Sequence, residues 1–241
     1  MINLFSKKKV FENPLKVDIH SHLLPGLDDG VTTTEEAIEV LRFFQSLGYK
    51  KVITTPHVMP EFYPNTKEII EGALEALKEE LKNTEVEIEV EAAAEYYLDE
   101  TFLKLLETPD KLLRFGESYL LFETPYINKP TFLEEAIFKI NALGLQPVLA
   151  HPERYIFIQN KMSYLEDLAA RNVLFQCNIN AIQGYYSPAA EKTIKFMIKK
   201  GLVSFLGSDC HNMKHANILK RSMQDKYFYK AAQGEIKNNT L

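Results

Sequence analysis

The chain contains no tryptophan, only two cysteines, and no apolar run approaching the roughly 18 residues that a membrane-spanning helix needs. Cys177 and Cys210 are too few for a disulfide framework and suit a reducing compartment, so a cytoplasmic location is expected. No transmembrane segment is expected either. The start of the chain carries Lys7-Lys8-Lys9 but no apolar stretch behind it, which excludes an ordinary secretory signal. Residues 1–16 therefore read as a mobile N-terminal tail and residues 17–241 as a single domain. Basic charge is not in excess: 28 Lys and Arg stand against 33 Asp and Glu, a net charge of −5. That balance leaves no electrostatic footprint for nucleic acid. Internal repeats and low-complexity segments are also missing.

What is present is a repeating unit of apolar strand, polar loop and helical pattern. Candidate strands are Val17–His20, Val52–Thr55, Val86–Ala94, Tyr119–Glu123, Pro147–Ala150, Val173–Ile179 and Val203–Gly207. Helical spacing fills the intervals at Thr34–Leu47, Thr66–Leu81, Thr131–Leu143, Ser163–Arg171 and Pro188–Lys200. In the first of these, Ala37, Ile38, Leu41, Phe44 and Leu47 form the expected buried face, with Gly48 as the stop. Alternating strands and helices indicate a parallel sheet covered by helices. The expected fold is α/β, a distorted (β/α)7 TIM-like barrel with its active site at the C-terminal ends of the strands. One run resists this reading. Glu85 to Glu91 alternates as in a half-solvated strand, and Glu95 shares the parity of those glutamates although it should face the site. Either a bulge near Ala92–Ala94 resets the register, or the alternating part lies at the far end of the barrel.

Five of the six histidines fall in four clusters that follow strand-like runs. These are Asp18-Ile-His-Ser-His22, Thr55-Pro-His57, His151-Pro-Glu-Arg154 and Ser208-Asp-Cys-His211. A His-x-His pair at a strand end sends both rings to one face, as two ligands of one ion require. Asp209-x-His211 repeats that geometry, and Glu95 and Glu123 each end a strand. Imidazole and carboxylate donors without thiolate suit Mn, Fe or Zn and suit Ca or Cu(I) poorly.

With these motifs the chain resembles the polymerase and histidinol phosphatase (PHP) superfamily, and within it the bacterial capsular-polysaccharide protein-tyrosine phosphatases. The features carrying the resemblance are Asp18-Ile-His-Ser-His22 with Asp28-Asp29-Gly30, Thr55-Pro-His57, Ala94-Glu-Tyr96, Phe122-Glu123, Ala150-His-Pro-Glu-Arg154 and Gly207-Ser-Asp-Cys-His-Asn212. They span Val17 to Asn212. The resemblance implies three divalent ions, manganese first, with iron or zinc as the other choices. It implies that His20, His22, Glu95 and Asp209 hold one ion. Glu95 would bridge to a second, held also by Glu123 and His151, and Asp29, His57 and His211 would hold the third. Asp18 is expected to orient the histidines, and Asp28 to cap a helix from ahead of Thr32–Glu35.

The function implied is hydrolysis of phosphotyrosine by metal-activated hydroxide. A tyrosyl phenol leaves with a pKa of about 10, so it needs little help from a general acid. The implied partner is the tyrosine-rich tail of a bacterial tyrosine kinase that controls capsule or exopolysaccharide export. The expected catalytic set is Arg154, Asp29, His57 and His211, with Arg154 as a bidentate phosphate clamp. The related phosphatases carry an arginine shortly after the closing Asp-x-His-Asn, whereas this chain reads Met213-Lys-His-Ala-Asn217 there. Lys214 or His215 is the expected substitute. Phe62 and Tyr63 are expected to line a slot for the substrate ring, and Tyr185-Tyr186 pose the same choice. Cys210 lacks the arginine six residues on that a cysteine-dependent phosphatase requires, since Ala216 stands there. It reads as a packed neighbour of the ligands. The competing functions are a histidinol-phosphate or other small phosphomonoester phosphatase, a nuclease, and a non-catalytic docking module.

Overall fold

The computed structural model describes residues 12–241. Nine short strands, all paired in parallel, lie among these residues. They are β1 (Val17–Asp18), β2 (Lys51–Thr54), β3 (His57–Val58), β4 (Glu89–Ala92), β5 (Glu95–Tyr97), β6 (Tyr119–Glu123), β7 (Gln146–Ala150), β8 (Leu174–Asn178) and β9 (Phe205–Gly207). One sheet has the order β1-β2-β4 and the other β3-β5-β6-β7-β8-β9. Together they make a curled parallel sheet of the α/β class. The second and third expected strands appear as β2 and β4, and each resumes after a break, as β3 and β5, beyond the end expected for it. Thr54 pairs with Ala92 and His57 with Glu95, so the offset between them is the same on both sides of the break.

That constant offset resolves the glutamate run. Glu91 reaches Lys51 Nζ at 2.7 Å, Ala93 packs with Val17, Ile53, Leu121, Val148 and Phe205, and Glu95 is fully buried among histidines. All three share one face, so no bulge is needed. The alternating glutamates lie at the end of the sheet opposite the site. The break in alternation falls instead in the first strand. Val17 and Ile19 join the inner apolar cluster, yet His20 and His22 both reach Glu95.

Helices pack outside the sheet. In α1 (Thr34–Ser46) a capping box joins Thr33 to Glu36, and the buried face is Ala37, Val40, Leu41 and Phe44. Val40 thus takes the place expected for Ile38, which is only half-buried. The other expected helices appear as α2 (Lys67–Leu81), α4 (Leu133–Ala142), α6 (Tyr164–Ala169) and α7 (Pro188–Lys200). In α7, Ser187 caps the start, Pro188 occupies the first turn, and Gly201 ends the helix at φ 68°. Four helices were not expected: α3 (Glu100–Leu105), α5 (Ile156–Gln159), α8 (Met213–Ser222) and α9 (Lys226–Ala232). Among the described residues, no helix is long and apolar enough to cross a membrane.

The first and last strands meet at both ends. At the site end, Asp209 N–H donates to His20 O (2.8 Å) and His22 N–H to Cys210 O (2.9 Å). At the opposite end a side chain does this work. Asn238 is fully buried; its amide donates to Val17 O (3.0 Å) and Leu206 O (2.7 Å) and accepts from Leu206 N–H (2.9 Å). Asn239 next to it binds Lys16 N–H and Pro14 O. The expected tail boundary at residue 16 therefore moves. Residues 1–11 lie outside the described residues, but Asn13 and Leu15 are buried in the domain, because the turn at 13–16 is pinned by Asn239.

Candidate metal centre

Two of the strand ends deliver their donors by a local backbone device. His151 and Asp209 adopt left-handed conformations, with φ 32° and 49°. Such values are costly outside glycine, by roughly 1–3 kcal/mol, and persist where the surrounding structure imposes them. Here both bends turn a side chain toward the centre of the ring.

Glu95 is the hub. Its Oε2 lies 3.2 Å from His20 Nε2, 3.5 Å from His22 Nε2 and 3.2 Å from His57 Nδ1, while Oε1 lies 2.9 Å from His151 Nε2. Asp209 Oδ1 faces His20 Nε2 (3.6 Å), His22 Nε2 (3.4 Å) and His211 Nδ1 (3.6 Å). Glu123 lies 3.3 Å from His57 Nδ1 and 3.8 Å from His151 Nε2. Asp29 Oδ1 sits between His57 Nε2 (3.5 Å) and His211 Nε2 (3.4 Å). All nine expected donors thus face one centre. Three groups among them have donor atoms within 4.8 Å of one another: His20, His22 and Glu95; His57, Glu95 and Glu123; and His22, Asp29, His57 and His211.

The donor chemistry fits divalent cations. His22 Nδ1 meets the Asp28 carboxylate at 2.7 Å and His20 Nδ1 meets the Gln176 carbonyl oxygen at 2.8 Å. Both Nδ1 atoms therefore carry protons, and the two Nε2 atoms point at each other across 3.3 Å. Facing imidazole lone pairs beside two carboxylates call for positive charge between them. Burial alone would depress the His20 pKa, but Glu95 and Asp209 outweigh it and push the ring up to about 9. His22 is likewise raised, burial being outweighed by Asp28, Asp209 and Glu95. Glu95 and Asp209 are held well below the usual carboxylate range by the imidazoles against the cost of burial. A cation entering this cluster displaces protons from the Nε2 atoms.

Above the donors lies a cleft of about 420 Å3. Its walls include Tyr126, Tyr185, Tyr186, Arg154 and His215, and its floor Asp29, His57, His151, Asp209 and His211. Arg154 donates to Asp209 Oδ2 at 2.8 Å and lies between two rings, 4.8 Å from the centre of Tyr126 and 4.5 Å from that of Tyr186. It does not pair with Glu153, whose Oε1 instead accepts the Asn178 N–H at 2.8 Å.

Some expectations are corrected. Asp28 does not cap α1, since Thr33 does so; it accepts from His22 Nδ1, His57 N–H and Gly30 N–H. Asp18 reaches no histidine ring: it accepts from Ser208 N–H and Oγ–H, both at 2.8 Å, and so aligns the last strand with the first. Lys214 lies outside the cleft, on a separate groove with Val31, Glu36 and Met213. Phe62 is 65% exposed and does not line the cleft. Tyr63 stacks on the His57 ring, with centres 5.6 Å apart, and so supports a ligand. Sequence reasoning missed Tyr126, Gln176 and Asn178. A signal for the last two existed: Gln176-x-Asn178 repeats the His-x-His spacing at a strand end.

Burial pushes the Cys210 thiol well above its ordinary pKa, and its Sγ lies 3.3 Å from Asn212 O. It offers no thiolate. Cys210→Ser is expected to change turnover by less than about threefold, in line with the small effect of substitutions that remove no partner. A loss of activity in that variant at normal metal content would show that sulfur takes part.

Burial pushes the Glu153 carboxyl up to about 7, more than its hydrogen bond from Asn178 and the charge of Arg154 pull it down. Folded protein therefore holds this proton where unfolded chain has lost it. Stability should fall as pH rises from about 4.5 to about 7, by on the order of 3 kcal/mol at most. Burial pushes Asp18 up to about 7 as well, so Glu153→Gln should lessen the fall without abolishing it, and melting curves between pH 5 and 8 check it.

Residues 16–231 match the capsular polysaccharide synthesis CpsB/CapC family, and the chain belongs to that family. Over 230 residues it is 27% identical to the putative tyrosine-protein phosphatase CapC of Staphylococcus aureus, covering 93% of this chain and 90% of that one. It is also 27% identical over 201 residues to the tyrosine-protein phosphatase YwqE of Bacillus subtilis, covering 83% and 79%. Among solved structures, a chain from the work on YwqE and on CpsB of Streptococcus pneumoniae, described as metal-dependent tyrosine phosphatases, aligns with a TM-score of 0.78. That match has 25% identity and covers 88% of this chain and 90% of the other.

Proposed function

We propose that this chain is a metal-dependent protein-tyrosine phosphatase, and that its site holds three divalent ions, manganese first. Seven imidazole and carboxylate donors that cluster beneath a tyrosine-lined cleft, with His151 and Asp209 in contact with them, support the reading most directly. His20, His22, Glu95 and Asp209 would hold one ion, Glu95, Glu123 and His151 a second, and Asp29, His57 and His211 the third. In this reading His57 has two nitrogens in play, with Nδ1 toward Glu95 and Glu123 and Nε2 toward Asp29. When bound, such ions supply hydroxide at neutral pH and charge for the phosphoryl oxygens. The nine strands would serve as seven barrel positions, β2 with β3 and β4 with β5 each forming one broken strand.

The chain's own residues then do three things. Arg154, fixed between Tyr126 and Tyr186, presents a planar fork to a phosphoryl oxygen. Tyr126 and Tyr185 line the cleft that takes the phenyl ring. His215 stands in the cleft where Lys214 does not, and is the better candidate for the second anion contact. The partner would be a phosphotyrosine protein, namely the tyrosine-rich tail of a bacterial tyrosine kinase, and the setting cytoplasmic. Manganese-loaded protein should release phosphate from phosphotyrosine peptides and outrun its turnover of histidinol phosphate. Preference for histidinol phosphate would favour the small-substrate reading.

A further inference from the structure

Six strand ends carry the nine donors, and β8 carries none of them. Its inward positions are instead two amides, Gln176 and Asn178, both fully buried. Gln176 accepts the backbone N–H of His151 at 3.2 Å. A backbone N–H can only donate, so the atom facing it is the carbonyl oxygen. That same oxygen lies 2.8 Å from His20 Nδ1, which must then carry a proton, leaving Nε2 as the one ring nitrogen able to bind a cation. The Gln176 NH2 group donates in turn to Asn178 Oδ1 at 2.9 Å. Asn178 is thereby oriented with its NH2 toward Asp209 Oδ2 (2.6 Å) and the Tyr186 hydroxyl (3.0 Å). Oδ2 also receives Arg154, so it is saturated with donors while Oδ1 stays free to face the imidazoles. One backbone N–H sets the polarity of the whole chain.

We propose that Gln176 and Asn178 form a buried amide relay that fixes His20 as the Nδ1–H tautomer and turns Asp209 Oδ1 toward the metal. They are positioning residues that never touch substrate. Gly207 makes the relay possible. A Cβ there would come within 2.6 Å of Gln176 Nε2 and 2.8 Å of His20 Cβ, so a side chain would push the two apart. The inference rests on the metal-site reading above, though its first test does not depend on catalysis.

Long-range proton–nitrogen spectra of metal-free protein at alkaline pH, where the ring is neutral, should show His20 protonated at Nδ1. In Gln176→Leu that preference should disappear. An Nε2–H tautomer in the unsubstituted protein overturns the proposal whatever the enzyme hydrolyses. By calorimetric titration with Mn2+, Gln176→Leu should bind the relayed ion about 10–100-fold more weakly. Gln176→Glu keeps an acceptor for His20 and for His151 N–H but removes the NH2 donor to Asn178 Oδ1, so it should restore the Nδ1–H tautomer of His20 while Mn2+ binding stays weaker than in the parent. Equal Mn2+ affinity in Gln176→Leu and the parent, with only melting temperature lowered, would make Gln176 a packing residue and end the proposal. If tautomer and affinity behave as expected but no phosphotyrosine peptide is cleaved, the phosphatase reading fails and the relay stands.

Discussion

Glu95→Gln should lower phosphotyrosine hydrolysis by about three orders of magnitude or more, the scale seen when a group essential to the reacting centre is removed. The reason is that a single carboxylate faces four imidazoles, those of His20, His22, His57 and His151. An amide keeps the shape but removes the charge and offers an NH2 group where a lone pair is needed. Two of the three close donor groups contain Glu95, so metal content should fall together with turnover. Metal analysis of dialysed protein, set beside initial rates, checks both. Retention of full metal content with full activity would mean that the hub is structural only. His22→Ala and Asp209→Asn should follow the same direction, since His22 also belongs to two of the three close donor groups and Asp209 faces three of the imidazoles.

Arg154→Lys should cost about 100-fold in kcat/KM, close to the loss expected from one bidentate anion contact in a buried site. The substitution preserves charge, which makes it the more telling variant. Lysine cannot lie flat between Tyr126 and Tyr186, so the point charge is free to move away from the phosphate. The loss should appear mainly in KM if Arg154 binds the ground state, and in kcat if its fork meets charge that develops later. Unchanged kinetics would return Arg154 to a purely structural pairing with Asp209.

The sequence conveyed the site better than the frame around it. His20-x-His22 and Asp209-x-His211 were legible because a two-residue period at a strand end places both side chains on the same face, whatever the rest of the fold does. Glu95 could be named from its motif, but its position relative to Glu91 could not be settled. That required the pairing partners Ile53 and His57, which no local pattern supplies. Asp28 was misread because an acidic residue shortly before a helix looks like a cap; only the fold brings His22 back onto it. Gln176 and Asn178 escaped notice because uncharged amides carry no chemistry alone, and their importance comes entirely from what they face. Lys214 and Phe62 failed for the opposite reason: proximity in sequence to a motif does not fix which way a loop or helix turns.

Asn238 has a consequence for how the protein comes into being. The gap between the opening strand and the ninth is stitched at its lower end by that one amide, and the upper end carries His20 and Asp209. During synthesis that lower contact cannot form until position 238 has cleared the ribosomal exit tunnel. Until then the amide that joins Val17 O to Leu206 O is missing, and the approach of Asp209 to His20 at the other end lacks that support.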